Sequence, residues 1–143
     1  MSSALRAAAL ASSAAVVLST CGGSHRPPAA IPRPDRTFAA VGAVETGMAS
    51  WYGPGYNHNR TSCGDRYDQD SLTAAHPSWA CGTKVRVTFL ATGRSVVVRI
   101  NDLFPAHKGR IIDLSRGAAK AIGLIGPGTG EVRLEVVEQA TNP

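Results

Sequence analysis

Aromatic residues make up only 6% of this chain and charged residues only 17%. So few aromatics cannot build a stacking platform for nucleic-acid bases. The basic residues stand singly rather than in runs, and the formal net charge is +5. That balance suits an anionic polymer or surface, and no nucleic-acid partner is expected. No apolar run reaches the roughly 20 residues that cross a bilayer. With 143 residues there is no room for a large multidomain enzyme. There are three cysteines, and neither CxxC nor HxxxH spacing occurs, so no metal and no cofactor are expected. What the chain does have is turn-forming residues: 15 Gly and 9 Pro, which favour short strands over long helices.

The N-terminus reads as an address. Arg6 is the only charged residue before His25, and Ala7 to Leu18 is an uncharged stretch of small and apolar residues. This is the pattern of a secretory signal peptide over residues 1–20. Leu18-Ser19-Thr20-Cys21 resembles a bacterial lipobox, with Thr20 where Gly, Ala or Ser is usual. Cys21 is the candidate lipidation site. Each buried acyl CH₂ contributes about 0.8 kcal/mol, so a multiply acylated Cys anchors its chain to a membrane. Residues 21–44 carry Pro27, Pro28, Pro32 and Pro34 and have no apolar period, which predicts a flexible tether. Cys63 and Cys81 remain, and two cysteines in an exported chain favour a disulfide. It would close a loop of about 18 residues and stabilise by about 3 kcal/mol. The rival for these two cysteines is a metal site, with His76 lying between them in sequence.

Residues 45–138 read as one small, mainly β domain, followed by a tail over 139–143. Thr46 to Tyr52 is a short strand. Lys84 to Leu90 alternates with Val85, Val87 and Phe89 on one face, and Ser95 to Asn101 alternates through Val96, Val98 and Ile100. Ala91-Thr92-Gly93-Arg94 joins these two as a hairpin. Glu131 to Val137 buries Val132, Leu134 and Val136. Ser115 caps a helix from Arg116 to Ile122, and Gly123 ends it. Several short strands with one small helix predict a small β-barrel.

Four titratable residues lie in or beside turns, where functional side chains are often carried. Asp65 and Asp68 belong to Cys63-Gly64-Asp65-Arg66-Tyr67-Asp68. His76 follows the apolar Leu72-Thr73-Ala74-Ala75. Asp102 ends the most apolar strand, a setting in which a carboxyl can serve as general acid. Asp113, beside the helix start, is expected to face the positive end of the helix dipole. Arg110 is expected to pair with it or to bind an anionic ligand.

Longer motifs run through the same residues. Gly47-Met48-Ala49-Ser50-Trp51-Tyr52-Gly53, Leu72-Thr73-Ala74-Ala75-His76, Gly93 to Asp102 (GRSVVVRIND) and Gly109 to Ser115 (GRIIDLS) occur in that order. From about Gly47 to Val137 the chain resembles the rare lipoprotein A family. The resemblance implies a six-stranded double-psi β-barrel, related to expansin and barwin-like domains. It also implies a peptidoglycan lytic transglycosylase that cleaves the MurNAc–GlcNAc β-1,4 bond and leaves a 1,6-anhydro end. A non-catalytic, expansin-like peptidoglycan-binding lipoprotein is the alternative. Carried over residue by residue, Asp102 is the candidate acid/base, with Asp68, His76 and Asp65 as further catalytic candidates. Asp65 stands where the family usually has Glu. Trp51 and Tyr52 are candidates for stacking on sugars, with a core role as the alternative. Arg110, with Arg60 and Arg66, suits the carboxylates of peptidoglycan. Leu103-Phe104-Pro105 replaces the family's usual Arg-Gly-Pro. Glycan strands, a membrane reached through the lipid anchor, and cell-division proteins are the expected partners, at the bacterial cell envelope. With the chain ending at Pro143, the C-terminal SPOR domain of many relatives is not expected.

Overall fold

The computed structural model describes residues 36–107 and 109–141. The signal segment 1–20, the lipidation candidate Cys21 and the first part of the tether lie outside the described residues. Within them, six strands and one helix follow in order: β1 (Val44–Trp51), β2 (Thr73–Ala75), β3 (Lys84–Phe89), β4 (Ser95–Asp102), β5 (Arg110–Leu114), α1 (Arg116–Ile122) and β6 (Gly130–Glu138). A single 3-10 turn, Pro54–Tyr56, follows β1.

The strands close into a barrel in the order β1-β5-β2-β4-β3-β6. The apolar alternation dictates this closure. Val85, Val87, Val98, Ile100, Ile112, Leu114, Val132 and Leu134 all turn inward and are fully buried or nearly so. The anticipated β3–β4 hairpin is present, pairing Val85 with Val98 and Val87 with Val96. Gly93 takes a left-handed φ of 69° in its turn, which a side chain would disfavour. Two pairs are parallel, β1 with β5 and β2 with β4, and each carries a register shift. The shift in β2 lies just before Ala75, which is opposite Asp102. Such irregularities re-aim side chains next to sites.

The helix has the anticipated bounds. The Ser115 hydroxyl accepts from the Ala118 amide, and Gly123 closes the C-terminus at φ 83°. Gly117 is needed for packing. A Cβ there would stand 2.5 Å from the Asp70 carbonyl oxygen, so the 69–71 turn docks directly on the first turn of the helix.

Three expectations are corrected. β2 and β5 are strands that no alternation predicts: β2 is only three residues long, and β5 runs through continuous burial at Ile112 to Leu114. The tether expected over residues 21–44 ends earlier: residues from Arg36 onward already lie on the barrel. The Thr37 amide donates to the Ser78 carbonyl, and the Ala80 amide to that of Thr37. Ala39 joins the core cluster. The tail expected over residues 139–143 is in part packed: Ala140 is buried and lies against Gly82.

Candidate functional site

Asp102, the last residue of β4, is the best-held carboxylate of the expected set. Its Oδ1 accepts from the Ser62 amide at 2.8 Å and from the Leu103 amide at 2.9 Å. Its Oδ2 accepts from the Tyr52 hydroxyl at 3.1 Å. Two of the donors come from segments distant in sequence and one from the next residue, so the fold and the local backbone together fix the carboxylate plane. The carbonyl of Asp102 accepts from the His76 amide, which ties its main chain to the end of β2.

Ser62 is placed by the disulfide loop. Cys63 and Cys81 are bonded to each other, with Cα atoms 5.9 Å apart, so the disulfide reading holds and the metal reading of the two cysteines falls. The Cys63 amide donates to the Asn101 carbonyl, and the Gly82 amide to that of Ile100. Both ends of the bridge therefore clasp the last residues of β4. Among the described residues no three metal-ligating side chains gather.

Tyr52 is positioned by aromatic packing. Its ring lies 5.1 Å from that of Tyr67 and 5.7 Å from that of Tyr56. Burial and the neighbouring Asp102 charge push the phenol well above its ordinary value, so it remains a neutral donor. Tyr52 thus enters the site by its hydroxyl, while its ring is engaged by two other tyrosines.

Two clefts flank this centre and share Phe104. One, of about 340 Å³, has aromatic walls from Trp51, Tyr52, Tyr56 and Phe104, with Arg110 and Asp113 as its charged members. Trp51 is half-buried, lines this cleft and also packs on the core. Arg110 donates to Asp113 Oδ2 at 2.7 Å and lies over the Phe104 ring at 5.2 Å. The Ser50 hydroxyl donates to the other Asp113 oxygen. Asp113 is therefore held by β1 and by its own strand. The other cleft, of about 490 Å³, is walled by Pro77, Leu103, Phe104 and Pro105, with Arg36 and Ser62.

The remaining expected residues are elsewhere engaged. Asp65 pairs with Arg99 at 2.6 Å. Asp68 closes its own turn, accepting from the Asp70 amide and the Ser71 hydroxyl. These bonds hold its carboxyl below the ordinary range. No hydrogen bond or ion pair among the described residues joins either one to Asp102. His76 is buried and stacks on Trp79 at 3.9 Å. Its Nδ1 accepts from the Ser78 and Trp79 amides, so the proton sits on Nε2, which faces Glu45 at 3.2 Å. Burial lowers its basicity against the opposing pull of Glu45. Its contact with Asp102 is through the main chain alone. Arg60 and Arg66 face each other across an isolated bridge on the surface.

Sequence reasoning missed Ser62, Tyr56 and the cleft role of Phe104. Ser62 acts through its amide, which leaves no side-chain signal. Leu103-Phe104 stands out in the sequence only as a departure from the family's usual Arg-Gly.

Comparisons with known proteins give the family and the fold. The lytic transglycolase family matches residues 44–134. The endolytic peptidoglycan transglycosylase RlpA of Campylobacter jejuni is 50% identical over 101 residues, covering 71% of this chain and 37% of that protein. The protein of the same name from Vibrio cholerae is 48% identical over 104 residues, covering 71% of this chain and 40% of its own. The chain thus spans well under half the length of these curated relatives. Among solved structures, an expansin of Clavibacter michiganensis aligns with TM-score 0.55 at 26% identity, over 71% of this chain and 54% of that one. The Streptomyces papain inhibitor aligns with TM-score 0.57 at 24% identity, over 68% of this chain and 97% of its own, and shows the shared fold. With its motifs in order, its six-stranded barrel closed and the match extending from the first strand into the last, the chain belongs to the lytic transglycolase family of double-psi β-barrels.

Proposed function

We propose that the chain is an endolytic peptidoglycan transglycosylase in which Asp102 is the acid/base. The observation that carries this reading is the Asp102 carboxyl, fixed by three donors between an aromatic cleft and an apolar one. The names of the relatives support it, and the matched family region spans Asp102.

Glycoside cleavage needs a proton at the leaving oxygen and relief of an oxocarbenium-like centre. Two amides already occupy Oδ1, so Oδ2 is the oxygen with capacity to carry the proton. Tyr52, whose hydroxyl rotates, donates to the carboxylate and accepts from the carboxylic acid. Asp102 gives its proton to the GlcNAc O4 as the C1–O4 bond breaks. The resulting carboxylate takes the proton of the MurNAc C6 hydroxyl as O6 bonds to C1. Atoms balance without water, and the acid is regenerated. One carboxylate suffices because the substrate supplies the nucleophile. This suits a site in which Asp65 and Asp68 are engaged elsewhere. Trp51 and Tyr56 offer aromatic faces to sugar rings. Arg110 offers donors to a carboxylate.

Peptidoglycan as the polymer places the protein at the cell envelope. The lipobox-like Cys21 would hold it to a membrane there, and association with cell-division proteins is part of the same reading. An expansin of the same fold has been solved in complex with cellohexaose. Glycan binding without cleavage is therefore the rival outcome.

The test is a digest of intact and amidase-stripped peptidoglycan by the full chain, read by mass spectrometry, with Asp102→Asn beside it. Anhydro-muropeptides from the wild type are expected, with a loss of about 100-fold or more in the variant. Sedimentation with sacculi and no soluble product would establish the binder instead.

A further inference from the structure

Phe104 stands where the two clefts meet and lines both of them. The chemistry above gives its ring no task. The residue is half-buried, and it belongs neither to the core cluster nor to the partly buried residues packed against that cluster. So large an apolar side chain, placed outside the core, adds little to the barrel. Its backbone lies close to the reacting group. Phe104 is two residues after Asp102, and the amide of the intervening Leu103 donates to Asp102 Oδ1 at 2.9 Å. The place of the ring is therefore tied to that of the carboxyl.

The ring is held from a second direction as well. The Arg110 guanidinium lies over it, 5.2 Å from its centroid, in a cation–π contact. Arg110 is in turn fixed by Asp113 at 2.7 Å, and Asp113 by the Ser50 hydroxyl. Strands β1 and β5 thus steady Phe104 through one chain of contacts. Arg110 lines the aromatic cleft and not the apolar one. The guanidinium therefore meets the ring from the aromatic cleft. On the apolar side the neighbours of the ring are Pro77, Leu103 and Pro105. That cleft holds about 490 Å³, within the ordinary range of ligand pockets. An aromatic ring among apolar neighbours suits the C–H face of a pyranose.

We propose that Phe104 is a specificity-determining residue, whose ring stacks on an N-acetylamino sugar of the glycan on the apolar-cleft side of the bond cleaved at Asp102. The proposal rests on the reading of peptidoglycan as the polymer. A polymer cut in its interior runs on in both directions from the reacting bond. Trp51 and Tyr56 offer faces to its sugars on one side of Asp102. Phe104 supplies the face on the other. The family's usual residue at this position is Gly, which offers no such face, so this grip on the glycan belongs to this chain.

Two measurements on the full chain test it. The first does not depend on turnover. The ¹⁵N-labelled chain is titrated with the β-1,4-linked tetramer of N-acetylglucosamine, a probe with neither lactyl nor peptide groups. Amide shifts at Leu103, Phe104 and Ala106 are expected. Phe104→Leu keeps the apolar bulk and removes the aromatic face, so its Kd is expected to rise about fivefold. Phe104→Trp restores a face and is expected to bind at least as tightly as the wild type. No shift at these amides in the wild type, or equal affinity in Phe104→Leu, overturns the stacking face. The second measurement follows anhydro-end formation on amidase-stripped glycan. In Phe104→Leu, KM is expected to rise about fivefold with kcat kept within about twofold, the mark of a binding contact rather than of a disturbed Asp102. An unchanged KM overturns the role, whatever happens to kcat. Absence of anhydro product from the wild type would defeat the catalytic reading while the titration still judged this one.

Discussion

Asp102 and His76 show how two titratable residues brought out by the same motifs part company once placed. Asp102 presents its oxygens to donors at the junction of two clefts. His76 turns its ring inward onto Trp79 and reaches Asp102 only through its amide. The sequence could mark both, because both stand at the ends of apolar runs. It could not say which way either side chain turns. Tyr52 was legible as an aromatic beside the site but not as a donor, since its partner is 50 residues away. Tyr52→Phe keeps the ring packing and removes only that bond. Its rate of anhydro-end formation is expected to fall about tenfold, with little change in melting temperature. His76 makes a prediction about acid. Its folded form resists protonation, whereas the unfolded chain takes up that proton near pH 6.5. The unfolded state therefore binds more protons below that pH. The stability associated with a neutral His76 is full above pH 6.5 and declines as the pH falls toward its lowered folded value. Melting curves at pH 7.5 and 5.5 should show a drop for the wild type and a smaller drop for His76→Gln. Equal drops would mean that other groups carry the acid sensitivity.

Among elements, those with a clear period were legible and those without were not. β3, β4 and β6 alternate along most of their length and could be read from the sequence. β2 and β5 are short or continuously buried, and only their partners define them as strands. The helix was legible because its signals are local: a serine cap, small residues and a closing glycine. The loop from Thr61 to Asp65 is the element on which the site most depends. It has little apolar surface of its own, and the disulfide holds it. Replacing Cys63 and Cys81 together by Ser is expected to cost about 3 kcal/mol of stability. The rate should fall further than that loss explains at temperatures where the variant remains folded, because the Ser62 amide is no longer held against Asp102. Thermal melts alongside rates at 20 °C would separate the two effects. A rate equal to wild type in the folded variant would show that the loop holds its place unaided.

At the scale of the whole molecule, the barrel is wrapped by chain that composition assigned to linker. Residues 36–43 add the Thr37 bridge to Trp79, bury Ala39 and bring Arg36 to the disulfide. No apolar period marks them, because they pack by single contacts rather than by a face. A chain trimmed to begin at residue 45 is therefore expected to melt several degrees below one beginning at residue 36, given that about 1 kcal/mol shifts a domain of this size by roughly 4–8 °C. Identical melting curves would return these residues to the tether.

The closing pair of the barrel joins its first strand to its last, with Thr46 opposite Arg133. This has a consequence for time. Pairs so distant in sequence require a long loop to close before any contact stabilises it, and topologies of this kind fold slowly. A chain still lacking β6 cannot finish its barrel. It leaves the edges of both β1 and β3 unpaired, each able to recruit a strand from another copy. The same closure that leaves the finished barrel without an exposed edge makes the nine residues Gly130–Glu138 the step on which safe folding of the whole chain waits.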